Sequence, residues 1–211
     1  MRILVLGGTS GIGAATVERA LADGHEVRAF ARGADKLEPR PGLERMAGDA
    51  TSEADLRGAL QGMDAVVYAI GLGRATARFY APVTLFSETT EALLHAMAEV
   101  GPRRLVVVTG FGAGDSRQAM STIEQMGHRA ILGRAYADKD RQEEMVRGSG
   151  LDWTLVRPVI LTHGAASGSY KVLADPATWR NGLIPRADVA DYLVRACAEG
   201  LHPHEAVVLA R

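Results

Sequence analysis

The chain has a single cysteine, three lysines and only 5% aromatic residues among its 211. Cys197 alone makes neither an internal disulfide nor a cysteine-based zinc cluster. Neither sign of charge is in excess, since Lys+Arg 24 against Asp+Glu 25 leaves a formal net charge of -1. A nucleic-acid partner or an acidic membrane surface, which a basic excess would signal, is therefore not expected. No stretch approaches the ~20 consecutive apolar residues of a membrane helix. The run from Ile3 to Leu6 is too short for a secretory segment and passes directly into a glycine turn. The expectation is one cytoplasmic domain over residues 1–211, monomeric or homodimeric. Chemistry that needs an ammonium group has three candidates: Lys36, Lys139 and Lys171.

What the chain does have is apolar residues, 47% of the total, arranged in a repeating pattern. Ile3–Leu6, Val27–Phe30, Ala65–Ile70, Leu105–Thr109, Trp153–Val156 and Ala206–Leu209 are nearly continuous apolar runs of strand length. Such runs suit strands covered on both faces, as in parallel sheets. Amphipathic stretches separate them. Phe86, Leu93, Leu94, Met97 and Val100 share a helical stripe that Gly101-Pro102 ends; Leu56 and Leu60 mark a shorter helix. Val189, Leu193 and Val194 mark a last helix, with Asp188 expected as its N-cap. The alternation predicts an α/β, Rossmann-type doubly wound, mostly parallel sheet with helices on both faces and a small C-terminal substrate-side region. The segments 71–82 and 111–135 follow strand ends without a helix pattern and read as loops at the ligand edge.

The first strand runs into Gly7-Gly-Thr-Ser-Gly-Ile-Gly13 and then a helix from Ile12. Glycines there let backbone approach a pyrophosphate, and the helix start aims N–H groups and a positive dipole end at it. This strand–turn–helix context is what a dinucleotide site requires. An NAD site usually has an acid at the end of the second strand. Here Ala31-Arg32 stands at that end, followed by Lys36, and a guanidinium pairs with a 2′-phosphate that a carboxylate would repel. NADP(H) is accordingly favoured over NAD(H), with Thr9 and Ser10 as added donors; Asp35 or Glu38 reaching back is the NAD alternative. Asp49 either meets the adenine or serves a turn with Thr51 or Ser52.

Together these motifs resemble the short-chain dehydrogenase/reductase superfamily, in its atypical NmrA-like and flavin/biliverdin reductase-like branch. The resemblance covers nearly the whole chain. It rests on Gly-Gly-Thr-Ser-Gly-Ile-Gly at 7–13, Ala-Arg at 31–32, Gly-Asp at 48–49, Tyr-Ala-Ile-Gly at 68–71 and Val-Val-Val-Thr-Gly at 106–110. It continues through Ser-Gly-Leu-Asp-Trp-Thr-Leu-Val-Arg-Pro at 149–158, Gly-Ser-Tyr at 168–170 and Ile-Pro-Arg-Ala-Asp-Val-Ala at 184–190. It implies that Gly7, Thr9, Ser10, Gly11, Ile12, Arg32, Asp49, Ala69, Ile70 and Gly71 line the cofactor. Thr109, Gly110 and the segment Arg157, Pro158, Val159 would flank the nicotinamide.

Short-chain reductases typically use a tyrosine and a lysine four apart, with a serine on the preceding strand. This chain has Thr109 at the serine strand end and Tyr136 and Lys139 spaced by three, so that motif is absent. The expected catalytic set is Thr109, Tyr136 and Lys139. Lys139 resembles the helix lysine that approaches the cofactor in NmrA-like members; its alternative is a surface pair with Glu143. Tyr136 is a proton donor, a stacking wall or a half-buried core aromatic. The flavin/biliverdin branch's serine would align at Gly110 and its histidine near Ile160, and neither group is present; His163 lies three residues on. Arg74, Arg78, Phe79 and Tyr80 form a candidate acceptor-side patch. His202-Pro-His204 reads as a solvated turn, so no metal is assigned, and Cys197 reads as a buried small hydrophobe.

These features point to an NADPH-dependent oxidoreductase for a small planar acceptor such as a flavin, quinone or related carbonyl compound. The alternatives are a non-enzymatic NAD(P)H-binding sensor of NmrA type, and a sugar-nucleotide epimerase or dehydratase. The last is disfavoured by the short stretch after Pro158 and the missing tyrosine–lysine motif.

Overall fold

A computed structural model describes residues 1–72 and 83–211. Eight strands form one sheet: β1 (Arg2–Leu6), β2 (Glu26–Phe30), β3 (Leu43–Met46), β4 (Ala65–Tyr68), β5 (Arg104–Val108), β6 (Asp152–Pro158), β8 (Lys171–Leu173) and β10 (Glu205–Ala210). Their order is β3-β2-β1-β4-β5-β6-β10-β8; all neighbours are parallel except β10 with β8. Two short parallel strands, β7 (Ile160–Thr162) and β9 (Leu183–Pro185), lie outside it. Among the described residues the α-helices are α1 (Gly11–Ala22), α2 (Glu53–Leu60), α3 (Leu85–Val100), α4 (Thr122–Arg147) and α5 (Arg186–Ala198).

Continuous apolar runs become strands because each run must cover two faces. Side chains alternate along a strand, so Ile3, Val5, Val67, Val106 and Val156 pack against α1 and α5 on one face. Leu4, Leu6, Val66, Leu105 and Leu155 pack against α2, α3 and α4 on the other. This is the expected doubly wound arrangement. Its topological switch point falls between β1 and β4, whose first connections lead to opposite sides, and the crevice outside those strand ends is where such sheets bind ligands. Among the described residues, no helix is long and apolar enough to cross a membrane.

The segment 111–135 is not the continuous loop expected. A short 3-10 turn spans Gly114–Ala119, and α4 begins at Thr122. Ser121 accepts from Glu124 N–H while the Glu124 carboxylate accepts from Ser121 N–H, a capping box that nucleates the helix. The expected cap of α5 is also corrected. Pro185 holds the N-cap position, and Asp188 sits inside the first turn, fully buried. Its carboxylate accepts from the N–H and hydroxyl of Ser167 and from Gly168 N–H, at 2.7, 2.5 and 3.2 Å. A buried acid is tolerated there because three donors satisfy it. Asp188→Ala is expected to cost about 1–3 kcal/mol and to open the loop around Ser167 to protease; urea unfolding and limited proteolysis measure the two effects.

Candidate functional site

At the C-terminal end of β1 the chain turns tightly enough to demand glycine. Gly7 has φ +81, and a Cβ there would lie 2.8 Å from the Ala69 carbonyl oxygen at the end of β4. A Cβ at Gly13 would overlap the Gly7 carbonyl. Those two contacts press the β1–α1 turn onto both the β4 end and its own helix. At Gly11, by contrast, no described residue lies within 4 Å of a would-be Cβ, so among the described residues the outer side of the turn is open. Ser10, the N-cap of α1, makes no side-chain cap bond, and no acid occupies the first turn. Helix-start N–H groups therefore face the open side uncapped by side chains, which suits a diphosphate. Thr9, Ser10 and Ile12 lie in or beside this turn, and Ala69 and Ile70 border it from the end of β4, with Gly71 next along the chain.

The neighbouring strand ends bring Arg32 and Asp49 together. The Arg32 charge contributes to holding the Asp49 carboxyl below its usual range, after the larger effect of bonds from Thr51. Both bonds, from Thr51 N–H and its hydroxyl, go to Oδ1 at 2.9 Å. Asp49 thus serves the turn with Thr51, while Ser52 caps α2. Arg32 and Lys36 are exposed, as are Asp35 and Glu38. Arg45 fixes the 34–37 turn that carries Lys36 by donating to the carbonyls of Asp35 and Leu37.

The ends of β5 and β6 are organised by one segment of α4. Asp138 accepts from Phe86 N–H at 2.8 Å and from the Ser87 hydroxyl at 2.5 Å, capping α3 from outside. Gln142 donates to the Thr90 hydroxyl at 2.8 Å, and Asp140 accepts from Gly114 N–H at 2.7 Å. Glu143, buried, accepts from the Thr109 hydroxyl at 2.7 Å and from two Arg157 nitrogens at 3.0 and 2.5 Å. Arg157 is 0% exposed and also meets Asp115 at 2.6 Å. So Thr109 has spent its one donor on Glu143. The Arg157 side chain is turned inward onto Glu143, and Pro158 and Val159, the rest of the segment expected to flank the nicotinamide, are buried at the strand end.

Lys139 is not the surface partner of Glu143. Its Nζ donates to the Thr109 carbonyl and lies 4.7 Å from the Phe86 ring centroid. Desolvation pulls its pKa down to about 8, against the opposing charges of Glu143 and Asp138. Tyr136 reaches the end of β5 despite its spacing: a Cβ at Gly110 would overlap its hydroxyl oxygen. The phenol therefore occupies the place that a side chain at position 110 would take. Burial pushes its pKa up to about 12, so it is protonated at neutral pH. His128, which the sequence reading did not single out, packs its ring edge-to-face on Tyr136 at 4.0 Å between centroids.

Other candidates fall away from this edge or remain undescribed. Arg74, Arg78, Phe79 and Tyr80 lie outside the described residues. His163 is exposed, and His202 bonds Tyr192 at 2.8 Å on the far side of the sheet. Cys197 is buried, which raises its thiol pKa to about 12.

A parallel doubly wound sheet with an open glycine turn at its switch point defines a dinucleotide-binding protein. The chain belongs to the NAD(P)H-binding family, whose model matches residues 7–200; the resemblance read from its motifs agrees with this. Among solved structures it is similar to the anaerobilin reductase ChuY of Escherichia coli O157:H7, with 24% identity, TM-score 0.84, and coverage of 100% of this chain and 97% of that one. It is also similar to a candidate NADH-flavin reductase of Streptococcus pneumoniae TIGR4, with 25% identity, TM-score 0.77, and coverage of 100% and 99%. A 3-beta-hydroxysteroid dehydrogenase of Mycolicibacterium neoaurum is 35% identical over 112 residues, 50% of this chain but only 31% of that protein's length.

The buried ion cluster generates a stability prediction. Glu143→Ala leaves the Arg157 guanidinium in the interior without its main partner and is expected to cost about 3–5 kcal/mol. Replacing both residues by leucine and methionine should recover most of that loss in urea unfolding.

Proposed function

We propose that the protein is an NADPH-dependent oxidoreductase that reduces a small planar acceptor, such as a flavin, quinone or related carbonyl compound, with Tyr136 as proton donor. The observation that carries this reading is the Tyr136 hydroxyl seated against Gly110 at the end of β5, on the same sheet edge as the open glycine turn. Gly7, Thr9, Ser10, Gly11 and Ile12 would hold the diphosphate, with Arg32 and Lys36 on the 2′-phosphate and Ala69, Ile70 and Gly71 along the crevice. Pro158 and Val159 would back the nicotinamide. When bound, the reduced nicotinamide supplies a hydride to the acceptor.

Tyr136 then contributes the proton. Its phenol keeps that proton at neutral pH because burial disfavours the phenolate. The half-buried ring lets solvent restore the proton after transfer. Thr109 and Lys139 act on the framework: the Thr109 hydroxyl holds Glu143, and the Lys139 ammonium holds the Thr109 carbonyl beside the phenol. The names of the similar structures, a reductase and a candidate flavin reductase, are in keeping with this class. The same commitment of Thr109 and Lys139 to internal bonds favours a second reading, a dinucleotide sensor with no turnover.

Two experiments follow. Absorbance of reduced nicotinamide is followed with flavins, quinones and aldehydes as acceptors. Acceptor-dependent NADPH oxidation is expected, falling about a hundredfold in Tyr136→Phe; tight NADPH binding without turnover across the panel selects the sensor reading. Arg32→Asp is expected to weaken NADPH at least about tenfold more than NADH, as loss of a charge-assisted phosphate bond predicts. Equal losses would sink the 2′-phosphate assignment.

A further inference from the structure

The turn after β5 and the middle of α4 are fitted to each other through two glycines and two rings. Gly110 makes room for the Tyr136 hydroxyl, and a Cβ at Gly112 would come 2.9 Å from His128 Nε2. Gly112 stands at φ +101, a conformation that side-chain-bearing residues rarely adopt. The rings of His128 and Tyr136 meet nearly perpendicular, at 79°. His128 Nε2 is buried and has no hydrogen-bond partner among the described residues. An orphaned buried nitrogen destabilises, and a phenylalanine would fill the same space without that cost. Packing alone does not account for a histidine here.

We propose that His128 is a positioning residue that fixes the Tyr136 phenol over the end of β5, and that it does so only as the neutral imidazole. The inference rests on the reading of Tyr136 as proton donor. A neutral ring accepts an edge-to-face contact with an aromatic neighbour, and its buried Nε2 fits the space beside Gly112. Protonation would place a second N–H, and a positive charge, where no described residue accepts from Nε2. The imidazolium would have to turn toward water, removing one wall of the phenol's seat.

Burial accordingly holds the His128 pKa below its ordinary value of 6.5. Among the described side chains, the charges facing His128 are Arg117, which opposes protonation, and Asp140 on α4, which favours it. These two pair with each other at 2.6 Å, so their effects largely offset. The 110–112 turn carries no titratable side chain. Lys139 lies 5.7 Å from the Tyr136 ring centroid and bears on the phenol itself. The rate should therefore fall as pH drops through the His128 pKa, giving an acid limb centred below 6.5.

The test combines a structural and a kinetic readout. Histidine ring resonances of the cofactor-free protein are titrated by NMR in the native chain and in Tyr136→Leu. His128 should titrate below 6.5, and removal of the tyrosine should shift its resonances and raise its midpoint. Steady-state rates with NADPH and an accepted acceptor are measured against pH for His128→Ala and His128→Phe. His128→Ala should lower kcat about three- to tenfold, as loss of an aromatic contact predicts, with KM for NADPH unchanged. His128→Phe should recover a larger share of kcat and lose the acid limb. A His128→Ala enzyme with native kcat and a native acid limb overturns the positioning role. So does a His128 titration that ignores the loss of Tyr136. Native rates in Tyr136→Phe would instead overturn the donor reading, whatever the histidine variants do.

Discussion

The candidate site is held in place by one buried carboxylate. Glu143 accepts from a hydroxyl on β5's end and a guanidinium on β6, joining two strands and α4 at a single point. A charge with so little exposure persists only when paired and hydrogen-bonded, so the helix cannot roll about its axis without stranding Arg157. That constraint fixes where neighbouring α4 residues face. One turn toward the N-terminus, Lys139 meets the Thr109 carbonyl; a further turn back, Tyr136 meets Gly110. Gly114 belongs to the same arrangement, because a Cβ there would crowd both Glu143 and Arg157. Asp138 extends it to α3, supplying the acceptor that Thr84 at that helix's N-cap does not.

The sheet was legible because its physics is local and repetitive. Runs such as Ile3–Leu6 and Leu105–Val108 have to be covered on both faces, and the alternation of their side chains already sorts them between two helical layers. The three-residue strands β7, β8 and β9 carry no such pattern; pairing partners distant in sequence define them. The start of α4 was readable in principle. Ser121-Thr-Ile-Glu124 is a capping-box sequence, but the turns that follow bear exposed Ile123 and Met126 and show no core-facing stripe. Amphipathic periodicity therefore gave no sign of helix there. Asp188 misled for a related reason: an acid at a helix start resembles a cap until its buried partners, Ser167 and Gly168, are known.

The site was legible where backbone does the work and obscure where side chains meet across the fold. The glycine turn after β1 and the position of Arg32 after β2 follow from sequence order alone. The spacing of three between Tyr136 and Lys139 departs from the four of the family motif, and one residue's difference rotates a side chain by about 100° on a helix. The compensation lies across the sheet edge, at a glycine whose absent Cβ admits the hydroxyl. No spacing rule within α4 contains that information. A signal did exist in the alignment of Gly110 with a position expected to hold a side chain: an emptied site invites a neighbour to fill it. Arg157 lies near a strand end at the same edge, and its burial against Glu143, a residue fourteen positions back on α4, is another contact that sequence order does not reveal.

The near-zero net charge resolves into two regions of different character. Around α4 the charges are consumed internally: Glu143 and Asp115 with Arg157, Asp140 with Arg117, Asp138 with the start of α3. Their fields largely cancel within a few ångströms, so this region contributes positioning and a low-polarity seat for the phenol. At the ends of β2 and β3 the balance is different. Asp49 directs its hydrogen-bonded oxygen to Thr51, and among the described residues no ion pair engages Arg32 or Lys36. Exposed cations interact weakly with one another through water but strongly with a multiply charged anion that both can reach. A chain balanced over its whole surface can thus present cationic groups at one end of a crevice whose other end is neutral. A dinucleotide with an anionic tail and an uncharged reactive ring would be oriented by that difference alone.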